Sequence, residues 1–174
     1  NGIDMGIPAI ASPAHLLSAG LADRLAFKTT LVPVGSEGQG ITNLIGGQIP
    51  AMVFVVGSAQ QYVSSGQLVP LMVFTEQRLP QFPNTPTVVE VLGDANMVRM
   101  GWLGVAVKAG GSKETVKIVE GWTKSCLDTP EFQQALRTAL FTPRFINTTE
   151  YKEIVRKDTE FWRPLITKLG ISNE

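Results

Sequence analysis

Short apolar segments and helical patterns follow one another along residues 1–98. Residues 14–25 carry leucines near one helical face, and Ser12-Pro13 before them is typical of an N-cap followed by a first-turn proline. The β-branched segment 29–34 predicts a strand. The apolar runs 49–56 and 68–74 predict strands that are buried on both faces.

Shorter patterns fill the gaps between these segments. Helices are predicted over residues 41–45, 58–65 and 87–92, and the proline-rich segment 76–86 predicts an irregular loop. Strands that alternate with helices are typical of a mostly parallel sheet with helices on both faces. The first 98 residues are therefore predicted to be an α/β unit.

The pattern changes after Gly110-Gly111, where helical periodicity dominates. Helices are predicted from Ser112 to about residue 127, from Thr129-Pro130 to about residue 140, and from Asn147 to residue 169 before Gly170. Strands are predicted only at 97–107 and 143–146. We expect this part to be a helical tail with too few strands for a sheet of its own.

Composition narrows the functional classes. The 174 residues carry 15 basic and 15 acidic side chains, so a zero formal charge gives no general attraction for nucleic acid. One histidine, one cysteine and the absence of phosphate-loop or dinucleotide motifs argue against a metal site, a cofactor and catalysis. The first five residues have no signal-peptide character, so we expect a processed or truncated chain.

Two predicted helix starts could bind an anion. Ser12 and His15 open the first helix, and the loop that contains Ser36, Gly38 and Gln39 precedes the second. Both would lie at the carboxyl edge of a parallel sheet, where free backbone N–H groups attract carboxylates. The alternative is that Ser12 only caps its own helix and that the glycine-rich loop is a flexible connection.

An ordered set of motifs resembles the substrate-binding subunit of tripartite tricarboxylate transporters, the Bug or TctC family. The similar segments are 11–16 (Ala-Ser-Pro-Ala-His-Leu), 32–36 with 44–50, 66–68, 83–87 and 101–104 (Gly-Trp-Leu-Gly). Where the family has glycine, glycine and aspartate, this chain has Ala11, Ala14 and Phe54. These departures predict a pocket more apolar than is usual in the family.

The resemblance implies a periplasmic binding protein of the type II clamshell architecture. Residues 1–98 would form its second lobe, and residues 99–174 a crossover strand and tail that pack on a first lobe. It implies a small carboxylate-type solute, a periplasmic location, membrane permease subunits as partners and no catalytic residue. The predicted ligand-binding residues are Ala11, Ser12, His15, Ser36, Gly38, Gln39 and Phe54.

Two questions stay open at this stage. The same clamshell architecture occurs in effector-sensing domains of transcription regulators, although no helix-turn-helix or basic segment is present here. The apolar stripe of the last helix would also need a cover, either residues 1–98 or a second copy, and we expect a homodimer.

Overall fold

The computed structural model describes residues 2–99 and 101–171. They form two compact units, the first running to Trp102 and including Ile171, and the second spanning Leu103–Gly170. The elements of the first unit are β1 (Ile3–Ile7), α1 (Pro13–Leu25), β2 (Thr29–Pro33), α2 (Glu37–Ile45), β3 (Ala51–Met52), α3 (Val56–Ser64), α4 (Val88–Leu92) and a 3₁₀ turn (Ala95–Met97).

The sheet has three parallel strands in the order β2-β1-β3. Ile3 pairs with Thr29 at one end of the β1–β2 ladder, and Met5 pairs with Ala51 between β1 and β3. Helix α1 packs on β1 and β2, whereas α2 packs on β1 and β3. Right-handed crossovers in opposite directions place these helices on opposite faces. The predicted parallel sheet with helices on both faces is confirmed.

Alternation along β1 supplies a core to both faces. A side chain at Gly6 would meet Ile49 and Met52, and one at Gly40 of α2 would also meet Met52, so Gly6 faces α2. Met5 and Ile7 therefore face the other way. Ile7 is among the most buried side chains, and so is Val88 of α4. Burying such a side chain contributes roughly 1.5–3 kcal/mol. An isolated parallel bridge between Thr87 and Val73 joins the start of α4 to the segment 68–74.

Several predicted strand limits are wrong. β1 was not predicted, and the run 49–56 yields only the two-residue β3 before α3 begins at Val56. The run 68–74 forms no strand beyond one bridge at Val73, and Val69 and Leu71 are 78% and 75% exposed. The hydrophobicity of this segment predicted a strand, but within the described residues no neighbouring strand pairs with it.

The second unit contains three helices: α5 (Lys113–Leu127), α6 (Pro130–Thr138) and α7 (Thr148–Leu169). Glu120 links α5 to the start of α7, since its carboxylate accepts hydrogen bonds from the hydroxyl and the backbone N–H of Thr148. These bonds lower the pKa of Glu120. None of the three helices buries a residue fully.

The tail's helix limits are confirmed at their caps. Ser112 and Asn147 accept hydrogen bonds from first-turn N–H groups, and Gly170 ends α7 in the left-handed conformation. The strand predicted at 143–146 is absent. That at 97–107 includes Met100, which lies outside the described residues, and its described part contains no strand. Within residues 2–99 and 101–171, no helix combines the length and apolar character needed to cross a bilayer.

Candidate functional site

Three helix starts follow the three strands of the first unit. The connection after β1 leads to Ser12, the one after β2 to Ser36, and the one after β3 to Val55. Because all three strands are parallel, these connections lie at one edge of the sheet. The connections after β1 and β2 lead to opposite faces, which is the arrangement in which open α/β sheets bind ligands.

The start of α1 is held by His15 and Ser12. The Ser12 hydroxyl accepts the His15 N–H at 3.2 Å, and His15 Nδ1 accepts the Ala11 N–H at 2.9 Å. The Nδ1 atom therefore carries no proton, and the neutral imidazole keeps its N–H at Nε2. Burial lowers the pKa of His15, whose side chain stays neutral at physiological pH.

Ala11 has a backbone conformation that disfavours a side chain. Its φ of 60° lies in the left-handed region, where a residue with a Cβ is destabilised by roughly 1–2 kcal/mol. The hydrogen bond to His15 holds it there. A left-handed conformation favours glycine, which is the residue of the family pattern at the position of Ala11.

Helix α2 begins four residues earlier than predicted. Ser36 caps it by accepting the Gln39 N–H at 3.1 Å, so Gly38 and Gln39 belong to the first turn of a helix, not to a loop. The Gln39 side chain donates to Asn43 at 2.8 Å. A side chain at Gly38 would meet open space, whereas Gly35, with φ 86°, makes the turn before the cap.

Three backbone N–H groups in the first turns of α1 and α2 have no hydrogen-bond partner within the described residues. They belong to Ala14, Glu37 and Gly38. Pro13 supplies none, so α1 offers one such group and α2 offers two. Each helix start also carries a partial positive charge of about half an electron. The arrangement can hold an anion without a basic side chain.

Phe54 lies in the connection between β3 and α3, half-buried. The seven predicted residues therefore lie either in the connections that follow the three strands or in the first turns of α1 and α2. Hydrogen bonds join Ala11, Ser12 and His15 in one group and Ser36 with Gln39 in another. These bonds stay within each group.

Glu37 was missed by the sequence reasoning. Its carboxylate accepts the Val55 N–H at 3.2 Å and the Ser58 hydroxyl at 2.6 Å, which links the starts of α2 and α3. The one available signal was an acidic residue just after a serine cap, which is typical of a first helical turn. In the described part of the chain, no three His, Cys, Asp or Glu side chains cluster as a metal site would require.

Comparison with known proteins gives one family. The family model for the tripartite tricarboxylate transporter family receptor, TctC, matches residues 1–171. A UPF0065 protein of Pseudomonas sp. strain P51 is 25% identical over 168 residues, covering 94% of this chain and 48% of its own length. The chain spans about half the length of the curated relatives it matches first.

Solved structures share the fold. A TctC solute-binding protein from Polaromonas is 25% identical with a TM-score of 0.75, and the alignment covers 97% of this chain and 58% of that one. The periplasmic binding protein BugD has a TM-score of 0.81 at 21% identity, covering 98% and 57%. An R. palustris protein with adipate has 0.82 at 20% identity, covering 98% and 56%.

Proposed function

We propose that this chain, which belongs to the tripartite tricarboxylate transporter receptor family, binds a small organic anion at the carboxyl edge of its sheet. The observation that carries the proposal is the set of free N–H groups at Ala14, Glu37 and Gly38. A carboxylate is the ligand that such helix starts favour, because it accepts several N–H bonds and complements the helix dipole. The adipate in the R. palustris structure belongs to the same chemical class.

The seven predicted residues have different roles in the proposed site. Ser12 and Ser36 fix the two helix starts by capping them, and Gly38 leaves its amide open to approach. His15 holds the Ala11 backbone and keeps a neutral N–H donor. Gln39 supplies a polar edge, and Phe54 supplies apolar contact for the solute's hydrocarbon part.

The biological role proposed here is reception and delivery. The chain would act in the periplasm, as the periplasmic binding protein BugD suggests. It would present its solute to membrane permease subunits, as the description of the family as a transporter receptor suggests. Reversible binding by backbone dipoles needs neither a cofactor nor a nucleophile. We expect no catalytic turnover.

The proposed domain arrangement is a lobe and a tail. Residues 1–98 would be one lobe of a clamshell, and residues 99–174 would pack on a further lobe. The second unit has exposed apolar side chains to bury, with Trp122 67% exposed and Leu103, Ile118 and Phe132 also exposed. When the 174-residue chain is studied alone, we expect two copies to cover each other's apolar surface and form a homodimer.

Light scattering on the 174-residue chain tests the dimer. We expect twice the chain mass of 18.8 kDa at high protein concentration. A monomer with a well-ordered tail would contradict this arrangement.

Titration calorimetry with a panel of carboxylates, adipate included, tests the binding function on the protein at its natural length. Gly38→Val should weaken binding about ten- to a hundred-fold, because it blocks one N–H bond to a charged oxygen worth about 1.5–3 kcal/mol. Ser12→Ala should weaken it less, by loosening the cap.

Matched controls exist in the second unit. Gly121 is a glycine in α5 with open space around it, and Ser112 caps α5 as Ser12 caps α1. Gly121→Val and Ser112→Ala should leave the dissociation constant unchanged. Equal affinity in the wild type, Gly38→Val and Ser12→Ala would refute the assigned site.

A further inference from the structure

Apolar side chains lie close to the start of α2. The peptide between Phe54 and Val55 lies against the first residue of that helix, because the Val55 N–H donates to Glu37 Oε1 at 3.2 Å. Phe54 is half-buried and Val55 is 51% exposed, so both keep apolar surface that the described chain does not cover. This surface is close to the N–H groups of Glu37 and Gly38.

The start of α1 has a similar neighbour. The Ala11 N–H donates to His15 Nδ1 at 2.9 Å, which holds the peptide between Ile10 and Ala11 against the first turn of the helix. Ile10 is 56% exposed. The N–H of Ala14, which has no partner within the described residues, therefore belongs to a turn that is preceded by an exposed aliphatic side chain.

Basic side chains are absent from these segments of the sequence. Residues 8–15, 34–39 and 53–58 contain the three connections and the helix starts, and they include no lysine or arginine. Their one charged side chain at neutral pH, Glu37, is acidic. The N–H groups can satisfy one carboxylate, but a second carboxylate beside these apolar side chains would lose its water without gaining a cationic partner, which is costly.

We infer that the solute is a monocarboxylate whose remaining part is hydrocarbon, with its carboxylate at the unpaired N–H groups of α1 and α2 and its hydrocarbon against Ile10, Phe54 and Val55. The inference rests on the proposed binding function and narrows it from small organic anions to one class. Dicarboxylates bind at the same N–H groups, but more weakly, because their second carboxylate meets apolar surface.

Calorimetry on the natural-length protein with acetate, butyrate and hexanoate measures the contribution of the hydrocarbon. Each added methylene group should tighten binding roughly two- to four-fold, which is the effect of burying it. Hexanoate and adipate both have six carbons and differ by one carboxylate, so they test the second part of the inference. Hexanoate should bind at least roughly ten-fold more tightly, because the second carboxylate of adipate is left without a partner.

Substitution of Phe54 tests the apolar contact itself. Phe54→Ala should weaken hexanoate binding about ten-fold and acetate binding by less than about two-fold, because acetate has only a methyl group to place on the ring. Phe54→Leu should restore most of the hexanoate affinity. A merely structural role of Phe54 would weaken the binding of both solutes equally, and that result would contradict the inference.

Phe27→Ala is the matched control. Phe27 is also half-buried, but it lies between α1 and β2 at the opposite edge of the sheet, so hexanoate affinity should not change. The outcomes also separate this inference from the proposed function. If none of the four solutes binds, both are wrong. If adipate binds as tightly as hexanoate or more so, with shifts of the Ala14, Glu37 and Gly38 amides, only this inference is wrong.

Discussion

Acidification through the titration range of histidine should destabilise the first unit, because His15 is held there in its neutral form. The side chain is only 8% exposed, and its Nδ1 accepts the Ala11 N–H at 2.9 Å. Protonation would place an N–H on both ring nitrogens, so the acceptor for Ala11 would be lost. Burial accordingly lowers the pKa of His15 below its ordinary value of 6.5.

The direction of the effect follows from proton linkage. Between the unfolded pKa of 6.5 and the lower folded pKa, the unfolded chain binds more protons. The free energy of unfolding is therefore highest above pH 6.5, and it falls on acidification by at most about 1.4 kcal/mol per pH unit. The decline from this residue stops below the folded pKa.

Urea unfolding followed by circular dichroism, between about pH 7.5 and 5.5, measures this slope above the range in which carboxylates titrate. His15→Ala should abolish the slope and lower stability at about pH 7.5 by about 2–4 kcal/mol, from the lost acceptor and the space left by the ring. Gln61→Ala, at an exposed position of α3, should keep the slope. His15 is the only histidine, so its ring resonances are unambiguous. A pKa at or above 6.5, or an unchanged slope in His15→Ala, would refute the reasoning.

Two pairs of glycine and alanine substitutions test the effect of the backbone on stability, with calorimetric melting as the measurement. Gly104→Ala should destabilise the second unit by about 1–3 kcal/mol, because the new Cβ would lie 2.5 Å from Cζ of the Tyr151 ring. Gly121→Ala, in open space within α5, should stabilise that helix by up to about 1 kcal/mol. A result of opposite sign in either variant would contradict the packing described. Ala26→Gly should stabilise α1 by up to about 1 kcal/mol, because Ala26 has φ 52° at the C-cap. Gly93→Ala, at φ 65°, should destabilise α4 by a similar amount, and no change in both variants would count against these caps.

Helix limits could be predicted from the sequence because their signals are local. Ser12-Pro13, Ser112 and Asn147 each cap a helix within three residues of themselves, and the structure confirms each cap. The start of α2 was misplaced because its glycines were taken as loop residues. With Ser36 as cap and Glu37 in the first turn, Gly38 and Gly40 are accommodated within the helix.

Strands were predicted poorly because pairing is not a local property. Hydrophobicity marked 68–74 as a strand, but its formation depends on a neighbour, and Leu71 is exposed here. Conversely, β1 is central in the sheet although Asp4 interrupts its apolar run. Its position follows from two long-range ladders that no short segment specifies.

The candidate site was predicted in part for the same reason. The capping serines and the helix starts are visible in the sequence, and parallel topology places them at one edge. The contact of Glu37 with Val55 and Ser58 joins residues 18 and 21 positions apart, and no motif signals it. The left-handed backbone of Ala11 is likewise a feature of the folded chain, since alanine itself disfavours it.

Amide chemical-shift mapping with adipate on the natural-length protein tests the central claim most directly. The account predicts saturable shifts of the Ala14, Glu37 and Gly38 amides at the carboxyl edge of the sheet, with little change at the opposite edge near Ile3 and Thr29. Shifts confined to that opposite edge, or no saturable shift with any small carboxylate, would contradict it.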